Sequence, residues 1–361
     1  MHIPDGYLSP STCAVMYGAA APFWFTALQR VKKNFNAKMV PLISLLSAFA
    51  FVVMMFNVPL PGGTTGHAVG MGIISVVIGP WASILAISIA LGIQAVFFGD
   101  GGITCYGANC FNMAIVGSLV AYAFYRLFSG QASLASPRRI VAAAAAGYIA
   151  INVSALCAAI EFGIQPGLFH DANGAPLYAP YPLSISIPVM LLGHLTFAGL
   201  AELVLAGSLV AYLQRTDPAL LRTTAPGVAE TDDIPVAGTI WVRTRGLWVI
   251  LAIMMLISPL GLLAAGTAWG EWGADDFKDP GMRSQMATAS NGLAPPPLPP
   301  SGLEKLASVW TAPMPDYAPA FIKSPQLGYI CSAVFGTGLI LLVGLFIGWI
   351  VGRIAKPKAI A

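Results

Sequence analysis

Only 33 of the 361 residues are charged, 18 Lys/Arg and 15 Asp/Glu, or 9%, against about 25% in an average soluble domain. With 57% hydrophobic residues and a mean hydropathy of +0.76, the chain lacks the polar surface of a soluble globule and is expected to be an all-α, polytopic integral membrane protein. The net charge of +3 comes without a basic, aromatic-interleaved patch, which excludes nucleic acid as a partner, and the five cysteines fit neither a disulfide framework nor a CxxC pair.

The chain begins MHIPDGYLSP, which lacks the basic segment of a cleavable signal. Ser9-Pro10 is a helix start, with Ser9 as cap and Pro10 in the first helical position, so the first eight residues are expected to form a free extracytoplasmic strap. Apolar runs able to cross about 30 Å of hydrocarbon lie at 11–29, 40–60, 110–127, 140–160, 184–212, 246–267 and 328–351. A further run, 69–98, is long for one span and short for two, with Gly79-Pro80 as a natural break.

Charge decides the topology. The segments Arg30–Lys38, Arg126–Arg139, Arg215–Arg245 and Arg353–Lys358 hold 14 of the 18 basic residues, which marks their side as cytoplasmic. For the first two to share a side, 69–98 must cross an even number of times, as two short helices or a re-entrant pair. About nine spans result, with the N-terminus outside and the C-terminus cytoplasmic. Ten of the 15 acids (Asp5, Asp100, Glu161, Asp171, Glu271, Asp275, Asp276, Asp279, Glu304 and Asp316) then share the outer face with four bases. This is either a field that concentrates cations or the usual outer deficit of basic residues.

The expected organisation is a seven-helix core at 1–213, a polar cytoplasmic linker at 214–245, an accessory two-span unit at 246–351 with a long outer loop 269–327, and a cytoplasmic tail at 352–361. The APPPLPPSG stretch (Ala294–Gly302) in that loop predicts an extended spacer.

A histidine in second place has distinctive chemistry. The α-amine, the backbone nitrogen of residue 2 and Nδ1 of His2 can close a five- and a six-membered chelate ring around one ion, leaving a fourth position open. Ni(II), Cu(II) and, less easily, Co(II) accept such nitrogen sets. His67, in the glycine-rich loop PGGTTGHAVG (Pro61–Gly70), is the natural fourth ligand. The alternative is an N-terminal histidine of no consequence.

Four stretches in order, MHIPDGYLSP, PGGTTGHAVG, GDGGITCYGANCFNM (Gly99–Met113) and HLTFAGLAE (His194–Glu202), resemble the substrate-binding component of cobalt and nickel energy-coupling-factor transporters, the CbiM/NikM family. The resemblance covers residues 1–213. It implies an ion held at the outer face by Met1, His2 and His67, cobalt or nickel being cargo rather than a prosthetic group. The family's frequent association with corrin synthesis favours cobalt. Residues 246–351 resemble the CbiN/NikN-like accessory protein, most visibly in SPLGLLAAGTAWGEWG (Ser258–Gly273).

Around that site, Asp5 is expected to fold the strap or orient an imidazole. Asp100, Thr104, Asn109 and Asn112 lie on or beside a loop expected to close over the ion, with Asn109 and Asn112 positioning His67. Cys105 and Cys110 are expected to be structural or disulfide-bonded rather than ligands. His194 and Glu202, inside a predicted span, are costly at that depth and so are functional candidates; they are expected to bond within the bundle and set helix packing. Glu161 is expected to snorkel at a helix end, and His170 to be solvated.

No GxxxxGK[ST] loop exists in the chain. Active transport would require partners, which the resemblance supplies as a CbiQ/NikQ-like transmembrane coupling subunit and CbiO/NikO-like ATPases at the cytoplasmic (inner) membrane. Small residues Ala14, Gly18 and Ala21 allow close approach of a partner helix or of a neighbour within the chain. The rival is a proton-coupled metal permease without ATPases. A metalloenzyme is disfavoured by the lack of HExxH.

Overall fold

The computed structural model describes residues 1–33, 39–225 and 239–354. The described chain is helical almost throughout: α1 Pro10–Lys33, α2 Met39–Met54, α3 Met71–Ile93, α4 Tyr106–Asn109, α5 Gly117–Ser129, α6 Pro137–Leu168, α7 Leu183–Gly193, α8 Gly199–Thr216, α9 Ile240–Ile257, α10 Pro280–Ala289, α11 Ser301–Leu306 and α12 Pro325–Ile354. One antiparallel hairpin, β1 Val58–Leu60 with β2 Thr64–Gly66, interrupts them. Helix α1 starts as expected, the Ser9 hydroxyl accepting from Thr12 N at 3.1 Å. Ser136 caps α6 in the same way, ahead of Pro137.

Six described helical runs are long and apolar enough to cross a membrane: Met71–Phe98, Tyr106–Ser129, Pro137–Leu168, Leu183–Thr216, Trp241–Leu263 and Pro325–Ile347. The protein is thus a multi-pass membrane protein. The first of these runs is folded in two. Gly79 takes φ 77 and ψ 166 ahead of Pro80, a conformation that favours glycine and that the next residue cannot undo. The Ser75 hydroxyl then reaches that of Ser83 at 3.1 Å, whereas eight residues of straight helix would separate them by about 12 Å. The segment therefore leaves from His67 and returns to Asp100, both beside His2. Nine crossings follow only if this hairpin counts twice and α1 and α2 once each.

Helix α6 is the axis of the N-terminal unit, packed against α5, α7 and α8. Its buried face of Ala142, Ala143, Ala146, Gly147 and Ala150 brings backbones close, as membrane helices require. A Cβ on Gly72 would lie 2.8 Å from the Gly147 Cα. Three widened, π-helical turns interrupt the helices, at Gln94–Phe98, Cys110–Val116 and His194–Ala198. Such turns favour functional regions, and all three overlap or adjoin motifs singled out in the sequence.

Part of the expected linker is packed. Residues Pro218–Thr224 form a tight helical turn against α3, with Leu221 buried and the Thr224 hydroxyl bonded to Val76 O at 2.5 Å. Its acidic stretch Glu230, Asp232 and Asp233 lies outside the described residues. The outer loop 269–327 is folded as well. It carries α10 and α11, and Arg283 reaches the carbonyls of Pro295 and Pro296 at 3.2 and 2.5 Å, so the proline stretch wraps a side chain rather than standing free.

Candidate metal centre

The strap expected to be free is buried. Met1, His2, Ile3, Tyr7 and Leu8 are each 4% exposed or less. Backbone hydrogen bonding explains the insertion, because a buried extended segment must find partners for its N–H and C=O groups. Ile3 N donates to Asn109 Oδ1 at 2.8 Å and Asn109 Nδ2 donates to Ile3 O at 3.0 Å, while Gly102 N donates to the same carbonyl at 2.9 Å. The Asp5 carboxylate accepts from Ile103 N (3.1 Å), Thr104 N (2.7 Å) and the Thr104 hydroxyl. Any Cβ at Gly102 would lie 2.3 Å from Asp5 Oδ1, so that position requires glycine. Asp5 thus folds the strap against the loop 99–105 and touches no imidazole.

The second element is the β1–β2 hairpin, whose turn uses Gly62 and Gly63 at φ 84 and 79. It delivers His67, 5% exposed, with Nδ1 against Ala68 O at 3.0 Å. What fixes this loop is Glu202. Its fully buried carboxylate accepts from Val69 N, Gly70 N and Gly72 N at 2.9, 2.8 and 2.9 Å. A carboxylate at the start of α3 satisfies N–H groups that no helical partner could reach. Neither Asn109 nor Asn112 performs the role expected of it. Asn109 clamps the strap, and Asn112 pairs with Glu161 at 2.8 Å, which is buried rather than snorkelling. Both amides lie on the helical segment that follows the strap's docking loop and therefore face strap and bundle.

These elements bring His2 Nδ1 and His67 Nε2 within 3.3 Å, the rings stacked at 4.9 Å between centroids. Two imidazole nitrogens each about 2 Å from one ion lie some 3 to 4 Å apart, so the pair is spaced as ligands are. Asp100 Oδ1 accepts from His2 Nδ1 at 2.8 Å. Its other oxygen accepts from the Tyr317 hydroxyl at 2.5 Å and Gln94 Nε2 at 3.1 Å. The α-amine of Met1 donates to Glu271 Oε1 at 3.3 Å. A cavity of about 340 Å³ opens among His2, His67, Asp100, Glu271, Asp316 and Tyr317.

Electrostatics suit a cation. Burial, with His2 and the amine adding to it, holds His67 well below the usual imidazole range, leaving it neutral and available as a ligand. Burial alone would raise Asp100, but His2, His67 and the Tyr317 hydroxyl together outweigh it and hold the carboxyl below its usual range. Glu271 is raised by burial, against the opposing pull of the amine. Among the described residues no three His, Cys, Asp or Glu side chains converge into a cage.

The remaining expected residues are elsewhere. Cys105 Sγ sits 3.7 Å from Cys13 Sγ as a free thiol, and Cys110 is also free and buried. His170 is exposed. His194 Nδ1 bonds to Met190 O at 2.8 Å within its own helix.

Sequence reasoning missed the contributions of the second unit. From the loop 269–327, Glu271 accepts from the Met1 amine and Tyr317 donates to Asp100 beside His2; Tyr7 donates its hydroxyl to Trp272 O at 2.9 Å, and Tyr329 donates to Met55 O at 2.9 Å. The motif WGEWG was visible, but no local signal ties residue 271 to residue 1.

Comparison with known proteins identifies the family. Residues 2–220 match the family model of the cobalt uptake substrate-specific transmembrane region, and residues 245–353 match the PDGLE domain. A fused nickel transport protein NikMN from Rhodobacter capsulatus is 53% identical over 350 residues, covering 96% of this chain and 97% of the relative. A probable fused nickel transport protein LarMN from Lactiplantibacillus plantarum is 39% identical, covering 95% and 96%. A solved structure described as a truncated transition metal transporter matches with a TM-score of 0.56 at 50% identity, over 60% of this chain and 99% of that one. The chain therefore belongs to the family of cobalt uptake substrate-specific transmembrane proteins, joined here in one polypeptide to a PDGLE domain.

Proposed function

We propose that this chain captures a divalent transition-metal ion at the extracytoplasmic face of the cell's inner membrane and passes it inward as the specificity subunit of an ATP-driven energy-coupling-factor transporter. The observation that carries the reading is the pair His2 Nδ1 and His67 Nε2, facing each other at 3.3 Å beside a buried chain terminus. The α-amine, the His2 backbone nitrogen and His2 Nδ1 supply three donors, and His67 Nε2 the fourth. Binding would release the protons that the amine, the His2 amide and His2 Nδ1 carry, exchange their hydrogen bonds to Glu271 and Asp100 for metal–nitrogen bonds, and leave the two carboxylates and the deprotonated amide to offset the charge of the cation. Nickel is favoured over the cobalt expected from sequence, because two relatives that span almost the whole chain are named for nickel and a planar nitrogen set suits it.

The coupling subunit and the ATPases are separate proteins in this reading. Support comes from α1, where Ala14, Gly18 and Ala21 are exposed and a Cβ on Gly18 would meet nothing within 4 Å, leaving a small-residue face for a partner helix. The core 1–213, the linker 214–245 and the accessory unit 246–351 divide the work into capture, connection and loading. The decisive experiment is Ni(II) binding by purified full-length protein with and without a residue added before Met1. The extension should abolish tight binding, and retained affinity would overturn the chelate. Uptake that persists in cells lacking every ATPase of this transporter class would favour the proton-coupled alternative.

A further inference from the structure

A second cavity, of about 210 Å³, adjoins the centre and is bounded by Met1, Leu60, Thr64, His194, Thr288 and Asn291 among others. Thr65 and Ala268 line both cavities and are joined by a β-bridge, so they form the wall between them. Its rim includes exposed residues, Pro61, Thr288 and Asn291, while Met1 and His194 at its base are buried. The hydrogen bond from His194 Nδ1 to Met190 O assigns the ring proton to Nδ1 and leaves Nε2 with a lone pair. That Nε2 is buried and has no hydrogen-bond partner. A buried polar atom without a partner calls for an explanation.

We infer that His194 is a transient ligand on the route of the metal ion, binding a partly hydrated divalent transition ion through Nε2 before the ion passes the Thr65–Ala268 wall, beside Met1, to the His2–His67 pair. The inference rests on the metal centre proposed above and adds the path to it. One imidazole, with the Met1 thioether and water completing the shell, gives weak binding and fast release, as a conducting site requires. Met1 belongs to both sites: it lines the outer cavity, and its amine is a donor of the centre. Movement of that one residue would hand the ion over.

The test uses full-length protein in lipid nanodiscs and Ni(II) alone, with loading followed by stopped flow and release followed with a chelating dye. His194→Gln should slow loading and release by the same factor, at least about fivefold, and leave equilibrium affinity unchanged, since a path residue alters rates in both directions alike. Thr288→Trp, at the exposed rim, should slow loading similarly without touching the base of the cavity, and so keeps the test valid if His194→Gln fails to fold. In a His2→Ala background, residual weak Ni(II) binding should vanish on adding His194→Gln. Wild-type rates in both single variants, or an affinity loss with unchanged loading, overturn the inference. Tight binding by His2→Ala alone would instead sink the metal centre, so the two failures are distinguishable.

Discussion

The two units hold themselves in the membrane to different degrees. In the N-terminal unit the buried share of the long apolar stretches runs from 78% for Met71–Phe98 down to 39% for Leu183–Thr216; in the C-terminal unit it is 17% for Trp241–Leu263 and 33% for Pro325–Ile347. The first unit is a packed bundle that carries its polar groups inside, with Glu202 on three backbone amides. The second is two lipid-facing helices, with Leu256 and Leu342 largely exposed, joined by a segment whose Trp272 and Phe277 are almost completely buried. Its helices anchor and its loop docks. The difference teaches that apolarity marks membrane residence, whereas contact with the centre is made by loop residues.

The largest expected effect would come from the first unit. His2→Ala should weaken Ni(II) binding, measured by calorimetry, by more than the roughly hundredfold that loss of an outer partner can cost. Glu202→Ala leaves three buried N–H groups unpaired and should destabilise the protein by about 3 kcal/mol or more, read as the midpoint of denaturation in detergent. If that variant keeps both its stability and its affinity, the bundle is not what holds the His67 loop.

In the second unit the contrast can be sharpened by two truncations. Trp272→Ala should cost about 3 kcal/mol and expose the strap to proteolysis, while Leu256→Ala, 64% exposed on α9, should stay within about 0.5 kcal/mol. Equal losses would erase the distinction between docking loop and anchoring helix. Smaller again, Glu271→Gln and Asp100→Asn should each reduce Ni(II) affinity about ten- to a hundredfold, from opposite units and without unfolding. His170→Ala, on an exposed turn, should leave affinity unchanged in the same titration.

Much of the centre was legible because its signals are local. A second-position histidine, a glycine-rich loop around His67 and the Gly79-Pro80 break each express chemistry that neighbouring residues alone determine: chelate ring size, positive φ and a missing amide proton. The roles of Asn109 and Asn112 were not legible in this way. Both are amides on one helical segment, and only packing decides that one meets Ile3 and the other Glu161. Glu202 is costly inside a span, which its position alone reveals, but its partners lie 130 to 133 residues away, beyond any periodicity.

The sequence by itself determined membrane residence and the even return of 69–98, and it pointed to the donor set proposed above, since hydropathy, charge asymmetry and N-terminal chelation need no knowledge of the fold. The tertiary structure alone decided that the strap is buried, that Glu202 anchors the His67 loop, and that Glu271 and Tyr317 cross from the second unit to the Met1 amine and to Asp100. Those are contacts between segments far apart in the chain. They exist because buried amides and charges in a low-dielectric interior must find partners wherever packing puts them.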